Sequence, residues 1–368
     1  MGQRYHKVLV HLPDNSGGKR NYFQTIKNYL KSEVEFTYCG SRGRKESTLQ
    51  FLRRNLEDLR SFYQIIRSEQ YDLVVINPTL DPKSFFRDSI FALLAVILKQ
   101  RVVIFWHGWR RPFELKIVRK IPFYFRMTYG KAVAMIVLAN EFKERIRSYG
   151  YVGPVYVETT TVDHRFLNGS NSAPRAISAD SKQTILFLSR VEKAKGIYEA
   201  VNCYARLYSK YNIELQIAGT GSELNAVKNF VLQNKIDGVK FLGWITGDDK
   251  INAYLNAHIY LLPSYSEGMP ISLLEALTCG LPVITTEVGG IADFFIQDKM
   301  GFLVQPRDEA DLEKKLDALL SNSVLRSEVS KFNWNYARES FSPYKVSERL
   351  EEIFDASASG ANLEAVKP

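Results

Sequence analysis

The sequence predicts a parallel α/β protein made of two doubly wound domains. Short β-branched runs alternate with helical patterns through almost all of the 368 residues, as expected for strands joined by crossover helices. The pattern lapses once, from Leu167 to Gln183, where Gly, Asn, Ser, Ala and Pro accumulate as in a linker. We therefore predict an N-terminal domain over residues 1–166, a linker over 167–183 and a C-terminal domain over 184–340.

Each domain should contain six short strands with helices between them. The N-terminal strands are expected at Val8–His11, Phe36–Cys39, Leu73–Asn77, Val102–Trp106, Ala134–Leu138 and Val155–Val157, with helices that include Arg20–Leu30, Leu49–Ser68 and Asp88–Leu98. The C-terminal strands are expected at Thr184–Leu188, Glu214–Ala218, Val239–Leu242, Ile259–Leu262, Pro282–Thr286 and Gly301–Val304. The helices between them are expected at Gly196–Tyr211, Ser222–Asn234, Gly247–Ala257, Pro270–Thr278 and Asp308–Leu320. An amphipathic helix within 341–354 should pack back on the N-terminal domain, and 355–368 should be a disordered tail.

Composition limits the classes of function. The formal charge of +9 is unevenly distributed, because residues 1–165 are strongly basic and the remainder is slightly acidic. The basic half could face phosphate, nucleic acid or an anionic membrane. Three distant cysteines without a CxxC pair argue against a disulfide framework or structural zinc and suit a reducing cytosol. The longest apolar run, Ile90–Leu98, is too short to span a bilayer, and no signal-peptide core precedes the first strand, so a cytoplasmic protein is expected.

The run from Ser264 to Ile284 is the most informative segment. Its pattern predicts a loop, a helix, a turn and a buried strand, and Pro270 is suited to the first turn of that helix. Glu267 then lies in the loop before the helix N-terminus, where anionic or polyol ligands bind, and Glu275 lies about two turns inside the helix. The two carboxylates could suggest a glycosidase pair, but eight residues of loop and helix do not define the separation that such a pair needs.

Two cations and several glycines add to this segment. Arg190 and Lys195 follow a strand and precede a helix, so they form either a diphosphate clamp or a solvated surface loop. Two glycine pairs, Gly17 with Gly18 and Gly219 with Gly221, allow close backbone approach to a ligand, although neither completes a dinucleotide fingerprint.

His107 ends a strand, at the edge where open α/β sheets bind ligands, although a lone histidine is more often structural. The remaining four histidines have no ligand-like spacing, and no metal site is predicted.

The Glu267 to Glu275 run closely resembles the Glu-x7-Glu motif of glycosyltransferase family 4, within the group 1 glycosyl transferases. The segment Thr160–Asp163 resembles the family's Asn-Gly-Val-Asp, with Thr-Thr for Asn-Gly, and Gly289–Asp293 resembles its Gly-Gly-x-Pro-Glu, with Ala for Pro and Asp for Glu. The resemblance implies a GT-B fold, with two Rossmann-like domains facing across a cleft. It also implies transfer of a sugar from a nucleotide-sugar to an acceptor hydroxyl with retention of configuration.

The resemblance assigns roles to the candidate residues. It implies that Arg190 and Lys195 hold the donor diphosphate, that Glu275 binds the ribose, and that Glu267 and His107 contact the transferred sugar. The remaining donor-site candidates are backbone or base-stacking positions: Gly17, Gly18, Gly219, Gly221, Gly268, Met269, Pro270 and, following a strand, Trp244.

The expected partners follow from the same resemblance and from charge. A nucleoside-diphosphate sugar is the donor substrate, and no cofactor or metal is expected, because no Asp-x-Asp triplet occurs. A lipid-linked saccharide in surface polysaccharide synthesis suits the basic half as acceptor. The segment Arg110–Lys131 interleaves cations and aromatics, which predicts either contact with an anionic membrane or a helix with a solvated basic face. No nucleic-acid reader motif is present.

The sequence alone leaves other classes of function open. An epimerase or a sugar phosphorylase would share the fold, and a non-catalytic carbohydrate- or membrane-binding subunit could retain it with an eroded site. Intact Glu267, Glu275, Arg190, Lys195 and His107 argue against erosion. The missing glycine fingerprint argues against a nicotinamide oxidoreductase.

Overall fold

The computed structural model describes residues 5–13, 18–40, 47–169 and 182–361. The chain divides into two compact units, residues 1–160 with 343–368 (unit 1) and residues 161–342 (unit 2). The boundary falls six residues before the predicted one, because the segment after Thr160 packs with unit 2: Thr161 Oγ1 donates to the carbonyl of Phe341. Of the predicted linker, residues 170–181 lie outside the described part of the chain.

Unit 1 is built on a parallel sheet. Its strands are β1 (Lys7–Pro13), β2 (Glu33–Cys39), β3 (Leu73–Ile76), β4 (Val102–Phe105), β5 (Ala134–Val137) and β6 (Val155–Val157). The helices between them are α1 (Gly18–Ile26), α2 (Thr48–Ser68), α3 (Pro82–Ile97), α4 (Arg111–Lys120), α5 (Pro122–Met127) and α6 (Asn140–Ser148). The strand order is β2-β1-β3-β4-β5-β6, and each pairing is parallel.

Unit 2 repeats this architecture. Its helices are α7 (His164–Gly169), α8 (Ile197–Leu207), α9 (Leu224–Gln233), α10 (Gly247–Leu255), α11 (Ile271–Thr278), α12 (Ile291–Phe294), α13 (Glu309–Ser321) and α14 (Ser323–Phe341). Its strands are β7 (Gln183–Leu188), β8 (Ile213–Ala218), β9 (Val239–Gly243), β10 (Ile259–Leu262), β11 (Val283–Thr286) and β12 (Gly301–Val304), in the order β12-β11-β10-β7-β8-β9. The final helix, α15 (Pro343–Ser359), belongs to unit 1.

The predicted fold class is confirmed, since both units are doubly wound parallel sheets. The β-branched runs form strands because they are covered on both faces, and every residue of β3, β4 and β5 is buried. Helix α3 begins at Pro82 rather than Asp88, because Asp81 caps it and Pro82 occupies its first turn.

The C-terminal end differs from the prediction of a tail from residue 355. Helix α15 continues to Ser359, because Ala356 and Ser357 are still buried. It is held by the rest of unit 1: Glu351 accepts hydrogen bonds from Ser32, and the Arg349 guanidinium donates to the buried Glu158 carboxylate at 2.7 Å. Helix α14, which the sequence patterns did not predict, has a weakly segregated apolar face. Within the described residues, no helix is both long and apolar enough to cross a bilayer.

Candidate functional site

In unit 2, a glycine fixes the loop between β7 and α8 against the loop after β10. Gly196 has φ of 71°, and a Cβ there would lie 2.1 Å from the carbonyl oxygen of Pro263. A side chain would therefore push the two loops apart. Because β7 and β10 are neighbours in the sheet, their carboxyl ends place both loops at one edge, where open α/β sheets bind ligands.

These two loops bring Lys195 and Glu267 together. Lys195 Nζ lies 2.6 Å from Glu267 Oε2, and the two side chains are only 12% and 7% exposed. The hydroxyl of Ser264 donates to the other carboxylate oxygen at 2.7 Å. Two residues 72 positions apart along the chain are thus joined in one polar cluster.

The loop between β11 and α12 packs against the backbone at Glu267 and Gly268. Gly289 has φ of 56°, and a Cβ there would lie 2.1 Å from the carbonyl oxygen of Glu267. The N–H of Gly290 donates to the carbonyl of Gly268 at 2.7 Å. In contrast, a Cβ on Gly268 would meet nothing within 4 Å, so this position faces open space.

Helix α11 begins directly after this cluster. Pro270 is its N-cap, and its ring cannot accept a hydrogen bond from the N–H groups of the first turn. Met269, just before it, is buried. Unpaired N–H groups at a helix N-terminus carry partial positive charge and attract anions. Lys195 and the start of α11 therefore make this edge of unit 2 suitable for an anionic ligand.

Glu275 is the fifth residue of α11. It therefore lies a little more than one turn inside the helix, whereas two turns were predicted. Its carboxylate accepts from Lys250 Nζ at 2.6 Å and from the Tyr254 hydroxyl at 3.0 Å. Burial raises the pKa of the Glu275 carboxyl, and Lys250 and Tyr254 oppose the shift. The two partners orient the carboxylate, so it is a fixed acceptor for hydroxyl groups.

The other predicted cation, Arg190, does not join Lys195. Its guanidinium is 64% exposed and pairs with Glu192 at 2.6 Å. An exposed ion pair of this kind is weak, so an oxyanion could displace Glu192 at little cost. In the structure Arg190 pairs within its own loop and Lys195 pairs with Glu267, so the diphosphate clamp stays a prediction.

The glycines after β8 bring backbone segments close together. A Cβ on Gly219 would lie 1.9 Å from the carbonyl oxygen of Ser189, and one on Gly221 would lie 2.2 Å from that of Val191. Both glycines therefore hold the Arg190 loop in place. Trp244, just beyond β9, is 71% exposed and presents a free aromatic surface.

In unit 1, His107 lies at the end of β4 beside Asn77. The Asn77 amide donates to the carbonyls of His11 and Val75, so its oxygen must accept from His107 Nε2 at 2.9 Å. Burial, reinforced by Lys19, lowers the pKa of His107 well below its ordinary value. His107 is therefore a neutral imidazole with an unprotonated Nδ1.

Lys19 is a candidate site residue that the sequence patterns did not identify. Its Nζ donates to the carbonyl oxygen of Asn77 at 2.6 Å, and burial lowers its pKa to about 8. The only sequence signal was its place after two glycines. Gly18 is the first residue of α1, and Gly17 lies outside the described residues.

The aromatic residues of Arg110–Lys131 divide between core and surface. Phe113, Phe125 and Tyr129 are buried in the core of unit 1, whereas Phe123 is 68% exposed. The hydroxyl of Tyr124 hydrogen-bonds Ser89 on α3 at 2.6 Å. Most of these rings therefore pack inside the protein, as in the solvated-helix interpretation.

Comparison with known proteins agrees with this fold. Residues 171–335, a little under half of the chain, match the family model of glycosyl transferases group 1. The match contains Arg190, Lys195, Glu267 and Glu275.

Two curated relatives and one solved structure illustrate the similarity. An uncharacterized glycosyltransferase of Methanocaldococcus jannaschii is 28% identical over 178 residues, covering 45% of this chain and 46% of that protein. The capsular polysaccharide biosynthesis glycosyltransferase CapM of Staphylococcus aureus is 27% identical over 223 residues, covering 59% and 57%. The matched region thus spans about half the length of these relatives.

The Anabaena protein HepE, solved in complex with UDP, has a TM-score of 0.71 and 16% identity over 95% of this chain and all of that chain. At this identity the comparison establishes the GT-B fold class.

Proposed function

We propose that the protein is a retaining glycosyltransferase that moves a sugar from a nucleoside-diphosphate sugar to an acceptor hydroxyl. The observation that carries the proposal is the Lys195–Glu267 pair, held at 2.6 Å beside the open backbone of Gly268 and the uncapped start of α11. A cation and a helix N-terminus suit a diphosphate, and a carboxylate among them suits sugar hydroxyls.

In this proposal the chemistry is stabilisation of the leaving group. The bond between the anomeric carbon and the diphosphate oxygen breaks, and the acceptor oxygen forms a bond on the same face of the sugar. The acceptor proton passes to the departing phosphate oxygen. Lys195, with Arg190 at the rim, offsets the charge that develops on the diphosphate, and such fixed donors are often the largest catalytic contribution.

The remaining donor contacts follow from side-chain chemistry. Glu275, oriented by Lys250 and Tyr254, is the proposed acceptor for the ribose hydroxyls, and the exposed face of Trp244 is the proposed contact for the base. In unit 1, His107, neutral with a free Nδ1, is proposed to accept a hydrogen bond from a sugar hydroxyl.

The proposed acceptor is a lipid-linked saccharide in the synthesis of a surface polysaccharide, at the inner face of the cell membrane. The strongly basic N-terminal half supports it, and so does the similarity to a glycosyltransferase of capsular polysaccharide biosynthesis. The proposed donor chemistry uses no metal, because the protein's own cations supply the positive charge.

Thermal unfolding with a panel of nucleoside diphosphates and nucleotide-sugars tests this function. Because a ligand that binds only the native state stabilises it by mass action, the matching donor should raise the melting temperature. The stabilising nucleotide-sugar is then incubated with and without saccharide acceptors, and the products are analysed by mass spectrometry. Conversion without any acceptor would indicate an epimerase, and no stabilisation by any member of the panel would contradict the proposal.

A further inference from the structure

Unit 1 contains a cavity of about 550 Å³ that the proposed chemistry does not use. It lies between α2 and α3, and its walls are mainly apolar: Leu52, Leu56, Leu59, Phe86, Ile90 and Phe91. This volume falls within the roughly 300–1,000 Å³ typical of small-molecule sites. Apolar walls of this extent suit hydrocarbon rather than a sugar or nucleotide.

The cavity is at the edge of the sheet where ligands bind. Pro13 ends β1, Cys39 ends β2, and both line the cavity together with Gly40. Burial raises the pKa of the Cys39 thiol to about 12, so this wall is an un-ionised thiol and not a nucleophile. The thiol therefore adds an uncharged surface to the cavity wall.

Three cations lie among the apolar walls. Arg54 pairs with Asp58 at 3.1 Å and Arg87 pairs with Asp88 at 2.6 Å, so both guanidiniums are held in place. Lys83, in the first turn of α3, is exposed. A ligand with a long hydrocarbon chain and an anionic head matches this arrangement, because the chain can enter while the head stays beside Lys83.

The apolar surface continues beyond the cavity. Phe86 is 43% exposed, and its ring centroid lies 5.4 Å from that of Tyr124 and 6.2 Å from that of Phe113. The cavity thus borders the basic and aromatic segment Arg110–Lys131. Exposed Ile90 and Leu93 on α3 extend the same surface.

We propose that this cavity binds the hydrocarbon chain of a phosphorylated lipid, with Lys83 beside its phosphate. The inference rests on the proposed function, since it assigns the lipid part of the acceptor to a site in unit 1. Apolar burial supplies the affinity, at roughly 25 cal/mol for each Å² removed from water, and the cation selects a phosphate over an alcohol.

Isothermal titration of the full-length protein with farnesyl phosphate tests the site, with farnesol and inorganic phosphate as separate probes. Farnesyl phosphate should bind, farnesol should bind more weakly, and inorganic phosphate should not compete. Lys83→Met should reduce the preference for the phosphate and leave farnesol binding unchanged. Equal binding of farnesyl phosphate and farnesol by the wild type would contradict the role of Lys83.

Two leucines of α2 provide a matched pair of variants. Leu52 lines the cavity and is 54% exposed, whereas Leu49 is 77% exposed and is not among the lining residues. Since a carboxylate in an apolar site is costly, Leu52→Glu should weaken farnesyl phosphate binding by at least about tenfold. Leu49→Glu should leave it unchanged, and both variants are expected to fold because both positions are exposed.

Thermal unfolding of the same samples with the panel of nucleoside diphosphates separates this inference from the proposed function. Stabilisation by a nucleotide without farnesyl phosphate binding would overturn the lipid site and leave the donor site intact. Farnesyl phosphate binding with no response to any nucleotide would overturn the glycosyltransferase. Equal loss in Leu52→Glu and Leu49→Glu would place the lipid elsewhere on the protein and overturn the cavity assignment.

Discussion

The ammonium group of Lys195 lies 2.6 Å from a carboxylate oxygen of Glu267, and the two side chains are nearly buried. Removing one member of such a pair leaves an uncompensated charge, which costs more than the pair itself contributes. A bound diphosphate could take over the lysine while sugar hydroxyls satisfy the carboxylate. The pair therefore keeps both groups oriented for the proposed donor.

Glu275→Gln is expected to weaken binding of the stabilising nucleoside diphosphate by roughly tenfold, because an amide accepts weaker hydrogen bonds from ribose hydroxyls than a carboxylate does. Isothermal titration calorimetry measures the change. Glu328→Gln, at an exposed position of α14, is the matched control and should bind the same nucleoside diphosphate like the wild type. Unchanged affinity in Glu275→Gln would reject the ribose role.

His107→Gln should reduce the loss of stability in acid. Burial lowers the pKa of His107 in the native state, so the unfolded state binds more protons as the pH falls below about 6.5. The wild type should therefore lose free energy of unfolding more steeply than His107→Gln between pH 7 and pH 5. Urea denaturation at several pH values measures the two slopes.

Parallel slopes for the wild type and His107→Gln would mean that the native and unfolded states bind protons alike at His107, against the neutral imidazole assigned to the native state.

Two glycines in contacting loops, Gly268 and Gly289, should differ in how far substitution by Ala changes stability. Gly289→Ala places a methyl group against the Glu267 carbonyl at positive φ, and should reduce the free energy of unfolding by about 1–3 kcal/mol. Gly268→Ala meets open space and should change stability by less than about 1 kcal/mol, yet it should impair sugar transfer if the donor sugar packs there. Urea denaturation and the transfer assay together separate these effects. Comparable destabilisation by both substitutions would contradict the loop packing described here.

The sequence predicted the strands well because doubly covered parallel strands are continuous apolar runs. It also identified Lys195 and Glu267 separately, from motifs. Their contact could not be predicted by composition or periodicity, because it depends on β7 and β10 being neighbours in the sheet although 70 residues separate them.

Other features were hidden for physical reasons. Lys19 gave no signal beyond its place after two glycines, and its lowered pKa arises from burial at the sheet edge. The apolar cavity lies between α2 and α3. In the sequence, the exposed leucines and isoleucines of these helices form ordinary amphipathic patterns, which do not indicate a cavity. The sequence left Arg190 open between a diphosphate clamp and a solvated cation, and its pairing with Glu192 two residues away is a local contact.

The most direct test of the donor site compares Lys195→Ala with Lys193→Ala. Lys193 is an exposed lysine of the same loop, and Lys195 is the one paired with Glu267. Removing one hydrogen-bond donor to a charge that develops in the transition state typically lowers the turnover rate by a factor of about 10²–10³. We measure the rate of sugar transfer with the stabilising nucleotide-sugar, after circular dichroism confirms that both variants are folded. A loss of that size in Lys195→Ala, with Lys193→Ala unchanged, is the predicted result, and equal rates in the two folded variants would contradict the proposed donor site.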